Sequence, residues 1–313
     1  VNEENEKKGL CPKPPTEYLL GLAMGAVVIS ALFIAVYLIP VSINGEFRYY
    51  GTHIDSWMYR GTINIPQNTQ IPGDAWILGL NLKMEHYDET SAGKIADTLG
   101  MNNYRISDDG TYYTVENENA TLILAKDGFY LSYILRNVPY KENNLSDSHL
   151  LLLAKKAIVK YSNLLPEGVT IIPMDVKDGR FINIHGKHVV YTKLVRLKAL
   201  FGSHVVTIPL SMEFDWKGRM VGLKSALYKI DPGEYMVFPS FIRALRWMEK
   251  NGIPIPKDCF NFSKVVLTNV TVVYSPIKDS NSISPGYHMT FDIVDSGGKR
   301  ICRDEITVVW TQK

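Results

Sequence analysis

Residues 120–135 read ATLILAKDGFYLSYIL, two apolar alternations broken by Lys126-Asp127-Gly128. Asp-Gly between alternating runs is a strong hairpin signal, because glycine supplies the left-handed turn and the period of two gives each strand one buried face. Working outward, the same pattern recurs around Lys217-Gly218 and Ser296-Gly297-Gly298, and a helix precedes each hairpin. The first helix is predicted over Ser91–Leu99, stopping at Gly100. The second is capped by Ser146 and carries Leu150, Leu153, Ala154, Ala157, Ile158 and Tyr161, ending near Leu165-Pro166. The third starts at Pro239, carries Phe241, Leu245 and Met248, and ends at Asn251-Gly252.

Between the second helix and the second hairpin, turns at Lys177-Asp178-Gly179, His185-Gly186-Lys187 and Gly202-Ser203 mark an antiparallel meander. Val189, Tyr191, Val195, Leu197, Ala199 and Phe201 read as its buried face, with Thr192, Arg196 and Lys198 on the wet one. A further strand is predicted over Ala75–Met84.

Far upstream, Tyr18 to Pro40 carries no charge: YLLGLAMGAVVISALFIAVYLIP. About 22 helical residues span roughly 33 Å, the thickness of a bilayer's hydrocarbon core. The stretch reads as an uncleaved anchor, with a buried core helix as the alternative. Lys7, Lys8 and Lys13 precede it, which favours an internal N-terminus. Gly21 and Gly25 form a GxxxG that would let two such helices pack closely, so a homo-oligomer is one expectation. The predicted fold class is therefore α+β, one N-terminal transmembrane helix followed by serial helix-plus-antiparallel-sheet units. The expected divisions are a cytoplasmic tail 1–17, an anchor 18–40, a juxtamembrane segment 41–75, and α+β units at 76–140, 141–235 and 236–313. The expected location is the cell membrane, single-pass, with the N-terminus cytoplasmic and the C-terminal domain extracytoplasmic. The lipid bilayer would be met through residues 18–40.

The chain has 313 residues, 46% of them hydrophobic, which supports real cores and excludes wholesale disorder. A net charge of +2 gives no reason to expect nucleic acid as a partner. The average hides one asymmetry. From Lys177 to Lys229 ten basic residues face three acids, a formal +7, with Lys187, Arg196, Lys198, Lys217 and Arg219 as its surface representatives. This stretch reads either as a solvated sheet face or as a surface for an anionic partner.

No hydrolase, metalloprotease or nucleotide-binding signature occurs, so no catalytic residue, metal ligand or cofactor is assigned. His185 and His188 share a predicted turn without the further ligands a metal would need. Cys259 and Cys302 are positioned to bridge the third helix's exit to the last hairpin in an oxidising compartment, with two free thiols as the alternative. Asn119, Asn144, Asn261 and Asn269 each open an N-x-[ST] triplet available for glycosylation.

FIRALRWMEKNG (241–252), KVVLTNVTVVYSP (264–276), SPGYHMTFDIVDSGGKR (284–300) and ATLILAKDGFYLSYI (120–134) together give a helix, a strand ending in Tyr, a Pro before an aromatic strand, and a glycine-centred return. In this the chain resembles the YycH/YycI group of membrane-anchored envelope regulators and the broader PepSY-like domains. The resemblance implies no catalytic residues and a membrane or envelope protein as partner. The basic meander at 177–229 departs from it. The expected function is that of a single-pass, membrane-anchored extracytoplasmic binding or regulatory protein contacting another membrane or envelope component. The alternatives are a membrane-anchored hydrolase of cell-surface polymers and a pilin-like or surface-layer subunit.

Overall fold

Capped stretches build the helices and period-two stretches the strands of the computed structural model, which describes residues 45–50, 56–73, 75–184, 186–259, 261–277 and 282–312. Strands β1 (Gly45–Tyr50), β2 (Ser56–Tyr59), β3 (Ile63–Asn64) and β4 (Ala75–Met84) precede helix α1 (Glu89–Thr98). Strands β5 (Arg105–Asp108), β6 (Tyr112–Glu116), β7 (Ala120–Ala125) and β8 (Leu131–Leu135) lead to α2 (Asp147–Lys160). Then follow β9 (Thr170–Asp178), β10 (Phe181–Ile184), β11 (Lys187–Val190), β12 (Thr192–Phe201), β13 (His204–Val206), β14 (Ser211–Asp215), β15 (Met220–Ser225) and β16 (Tyr228–Phe238). Helix α3 (Phe241–Asn251) and strands β17 (Ile253–Pro256), β18 (Lys264–Ile277), β19 (Ser282–Val294) and β20 (Arg300–Gln312) complete the order.

The helix ends have local causes. The Asp88 carboxylate accepts the Ser91 N–H at 2.7 Å to start α1, and the Ser146 hydroxyl accepts the His149 N–H at 3.3 Å to start α2. Helix α3 follows Pro239 and stops at Gly252, whose φ of 90° few other residues adopt.

Sixteen strands join in one mixed sheet, ordered β1-β20-β19-β18-β13-β12-β14-β15-β8-β7-β6-β5. Strand β9 lies beside β12, β3 beside β18, and β4 between β16 and β19. The pairs β10–β11 and β2–β17 form separate ribbons. In the β5–β8 and β12–β15 region, Leu122, Leu124, Leu131, Val195, Met212 and Leu223 are buried in one core with Ala92 and Ala96 of α1 and Leu150 and Ala154 of α2. Full burial of a leucine there stabilises by about 1.5–3 kcal/mol. Around α3 the packing is aromatic. Phe241 meets Tyr287 edge-on at 5.3 Å, Tyr287 stacks on Phe238 at 4.7 Å, and Phe47 meets Trp310 at 4.8 Å. A disulfide between Cys259 and Cys302 ties the segment after β17 to β20.

The structure corrects the α+β expectation. Among the described residues the protein is mostly β, 54% strand against 15% helix, with three helices and a large mixed sheet in place of serial units. The physical reason lies in the sheet edges. A small isolated sheet leaves two rows of unpaired backbone groups. Here β15 pairs with β8, Gly222 opposite Ile134, and β13 with β18, Val205 opposite Val273, so one block's edge satisfies the next. The two parallel contacts of β18, with β13 and with β3, have no counterpart in a set of hairpins.

The membrane expectations are corrected as well. Among the described residues no helix is long and apolar enough to cross a membrane. The longest, α2, has 14 residues, about 21 Å at the helical rise against a hydrocarbon core of about 30 Å. The stretch 18–40, with Gly21 and Gly25, lies outside the described residues. The structure therefore gives no support to a transmembrane segment, a single-pass topology or a cell-membrane location.

Within the meander, Val195, Leu197 and Ala199 are buried as the alternation predicts, but Thr192, expected on the wet face, is fully buried. Its hydroxyl accepts the Arg180 N–H at 2.6 Å and donates to Glu213, which draws the residue inward.

Candidate functional site

The residues that converge on a concave surface belong to four chain segments. They enclose a cavity of about 580 Å³ lined by polar groups from the exit of α1, the β6–β7 turn, the end of β8 and the β14–β15 turn.

The β14–β15 turn, Asp215 to Arg219, supplies the charge. Asp215 is fully buried, and its carboxylate accepts the backbone N–H groups of Lys217 and Arg219, both at 2.9 Å, and Arg219 Nε at 2.7 Å. Arg219 Nη2 lies 2.7 Å from the same carboxylate. The turn is tight because Gly218 takes φ of 76°, and a Cβ there would stand 2.7 Å from Leu153 Cδ1 of α2. The guanidinium is thus neutralised from beneath by a buried acid. The Arg219 side chain remains 56% exposed and lines the cavity.

The β6–β7 turn supplies amides. Asn117 Oδ1 accepts the N–H groups of Asn119 and Ala120 at 2.9 and 2.8 Å, an Asx-type turn, and its Nδ2 donates to Asn102 O at 2.9 Å. Asn137, just past β8, donates through Nδ2 to Asn119 Oδ1 at 3.0 Å and to Glu118 O at 3.3 Å. These bonds orient the amides before any ligand arrives, which lowers the ordering cost of binding. Asn102 and Asn103 complete the wall, Asn103 with φ of 51°, and Glu118 is the single carboxylate among the lining residues. Met101, Tyr133 and Leu135 contribute apolar surface. Burial holds the Tyr133 hydroxyl above its ordinary pKa, so it stays a neutral donor and acceptor.

Two of the residues singled out in the sequence meet here. Arg219, assigned to a basic surface, and Asn119, assigned to a glycosylation triplet, both line the cavity. The other basic residues do not converge with them. Lys187 sits on the β10–β11 ribbon 3.9 Å from Glu142, and Arg196 on β12 pairs with Asp175. The Arg196 guanidinium holds the Asp175 carboxyl below the usual carboxylate range. Lys198 is half-buried on β12. The Lys217 ammonium lies 5.0 Å from the Trp216 ring centre, whose ring also receives Lys141 at 3.8 Å. Asp175 and Glu142 lie outside the 177–229 window, so the count of +7 overstates the local field.

Asn144, Asn261 and Asn269 are exposed, as is Asn119. His188 contacts Asn183 Oδ1 at 3.3 Å and lies against Phe181 at 4.3 Å, while His185 lies outside the described residues. Among the described residues no group of three or more His, Cys, Asp or Glu could hold a metal ion. A second cavity, of about 510 Å³, is lined by Tyr50, Phe129, Thr207, Ile208, Pro209, Pro276 and Ile277 and presents no charged group.

Asn102, Asn103, Asn117 and Asn137 carry no motif and do not stand out in the sequence as a site. The available signal was the density of Asn across 102–137 together with the turn sequence Asp-Trp-Lys-Gly-Arg. No protein-family model matches the chain, and no curated protein does.

Proposed function

We propose that residues 45–313 form a recognition domain that works by binding a polar ligand in the amide-lined cavity. The observation that carries this reading is the Asp215–Arg219 pair. A fully buried carboxylate holds the turn's backbone with one oxygen and the Arg219 guanidinium with the other, and that arginine faces a cavity instead of the protein interior. A guanidinium held in this way presents its remaining donors in a fixed fork, which suits an oxygen-rich ligand. Hydrolysis by paired carboxyls calls for two acids across the scissile bond, and the lining offers Glu118 alone. Binding is therefore the better-supported reading.

The test is a thermal-shift screen of the full chain against carboxylates, sugars, amino acids and nucleotides, run beside Arg219→Met. A ligand present at 100 times its Kd stabilises by about 2.7 kcal/mol. The expected result is at least one compound that raises the Tm of the wild type clearly more than that of the variant. A screen in which every shift survives the substitution, or in which the chain turns over its ligand, overturns the proposal.

A further inference from the structure

We infer that the ligand of the amide-lined cavity is a saccharide, an inference that rests on the recognition reading above and adds its chemical class. Five side-chain amides, those of Asn102, Asn103, Asn117, Asn119 and Asn137, border one concave surface. Each amide donates and accepts from one planar end, and so does each pair of neighbouring hydroxyls on a sugar ring. Several of these capacities are left over once the internal bonds are counted. Asn137 uses Nδ2 within the chain and keeps Oδ1 to accept, while Asn119 uses Oδ1 and keeps Nδ2 to donate. The side-chain amides of Asn102 and Asn103 engage no partner among the described residues.

Charge points the same way. The Arg219 guanidinium is compensated by Asp215, and Glu118 stands at the wall, so the cavity carries no large net field that would select a polyanion. The apolar surface of Leu135 and Tyr133 gives a ring's C–H face something to pack against.

A peptide is the competing ligand, and the sheet argues against it. Extended peptides gain affinity by adding a strand to an open edge. At this cavity β6 is paired on both sides by β5 and β7, β7 by β6 and β8, and β8 by β7 and β15. Strand β5 ends the sheet with one open edge, but none of Arg105–Asp108 lines the cavity. The cavity itself therefore offers side chains and no strand edge, which favours discrete hydroxyls over an extended backbone.

The test applies the full chain to an array of immobilised neutral, amino-sugar and uronic-acid oligosaccharides and to a peptide array of matched density. Arg219→Met and Asn102→Ala are run in parallel. Asn102 is exposed, so its variant keeps the test valid should Arg219→Met fold poorly. The expected result is saccharide binding that falls about tenfold or more with Arg219→Met. With Asn102→Ala it should fall several-fold while the Tm stays unchanged. Saccharide binding indifferent to both variants overturns the assignment to this cavity. Binding to peptides alone, sensitive to the variants, overturns the saccharide class and leaves the recognition reading standing. No variant-sensitive binding on either array overturns both.

Discussion

Two carboxylates of β14, Glu213 and Asp215, each pair with an arginine from a turn, and the two pairs are used in opposite ways. At the β9–β10 turn, Arg180 donates from Nε to Glu213 at 3.0 Å, from Nη1 to Leu135 O at 2.7 Å and from Nη2 to Val221 O at 3.4 Å. Its side chain is 26% exposed and that of Glu213 13%. The guanidinium is consumed by the fold, joining the meander's long hairpin to β8 and β15. At the β14–β15 turn the acid is fully buried and the arginine is 56% exposed beside a cavity. The difference teaches how to recognise an available cation. A guanidinium whose three nitrogens all donate to the chain's own carboxylate and carbonyls is structural, and one that is gripped from a single side is available to a ligand.

The comparison can be broken most forcefully at Arg180. Arg180→Ala leaves Glu213 with little solvent and without its cation, and is expected to cost about 3 kcal/mol in urea denaturation. A loss under about 1 kcal/mol would mean that Arg180 is not structural. Asp215→Asn, which keeps the shape and removes the charge, is expected to cost about 1.5–3 kcal/mol by the same measurement, because two backbone donors and Arg219 lose their anionic acceptor. Arg219→Met takes the cation from the fully buried Asp215 but leaves its two backbone donors, and is expected to cost about 1–2 kcal/mol. It should also reduce ligand-induced thermal shifts by about half or more, and a stability loss larger than that of Arg180→Ala with undiminished binding would reverse the two assignments.

The smallest effect is expected from the exposed pairs. The carboxyls of Asp108, Asp175 and Asp231 are held below the ordinary 3.8 by hydrogen bonds from Lys126, Arg196 and Lys83, respectively. A depressed folded pKa contributes stability that is present above the ordinary value and lost as pH falls through the lower, folded one. Acid titration monitored by circular dichroism should therefore show a shallow loss that begins below about pH 4. Added salt should weaken it, whereas the Arg180 and Asp215 effects should persist in salt.

Local features were legible without the structure. The Ala75–Met84 strand has the predicted bounds, and the Lys126-Asp127-Gly128 turn joins β7 to β8. Ser146 caps α2, and Gly252 ends α3. Each depends on residues a few positions apart. The basic count over 177–229 was accurate as arithmetic but incomplete as electrostatics, because the partners of Lys187 and Arg196 come from Glu142 and Asp175 outside that window. The cavity was illegible for a related reason. Asn102, Asn117, Asn137 and Arg219 span more than a hundred positions and meet only because β15 pairs with β8.

The sequence by itself determined the turns, the caps and the alternation of buried and wet side chains, since these follow from backbone stereochemistry and from periods of two and 3.6 within a short window. Only the tertiary structure decided that the hairpins merge into one sheet, that Thr192 turns inward, and that four scattered segments, one of them bearing a surface arginine, enclose a cavity. Those outcomes depend on satisfying backbone groups at sheet edges and the Glu213 carboxylate, whose partners Arg180 and Thr192 lie far away along the chain.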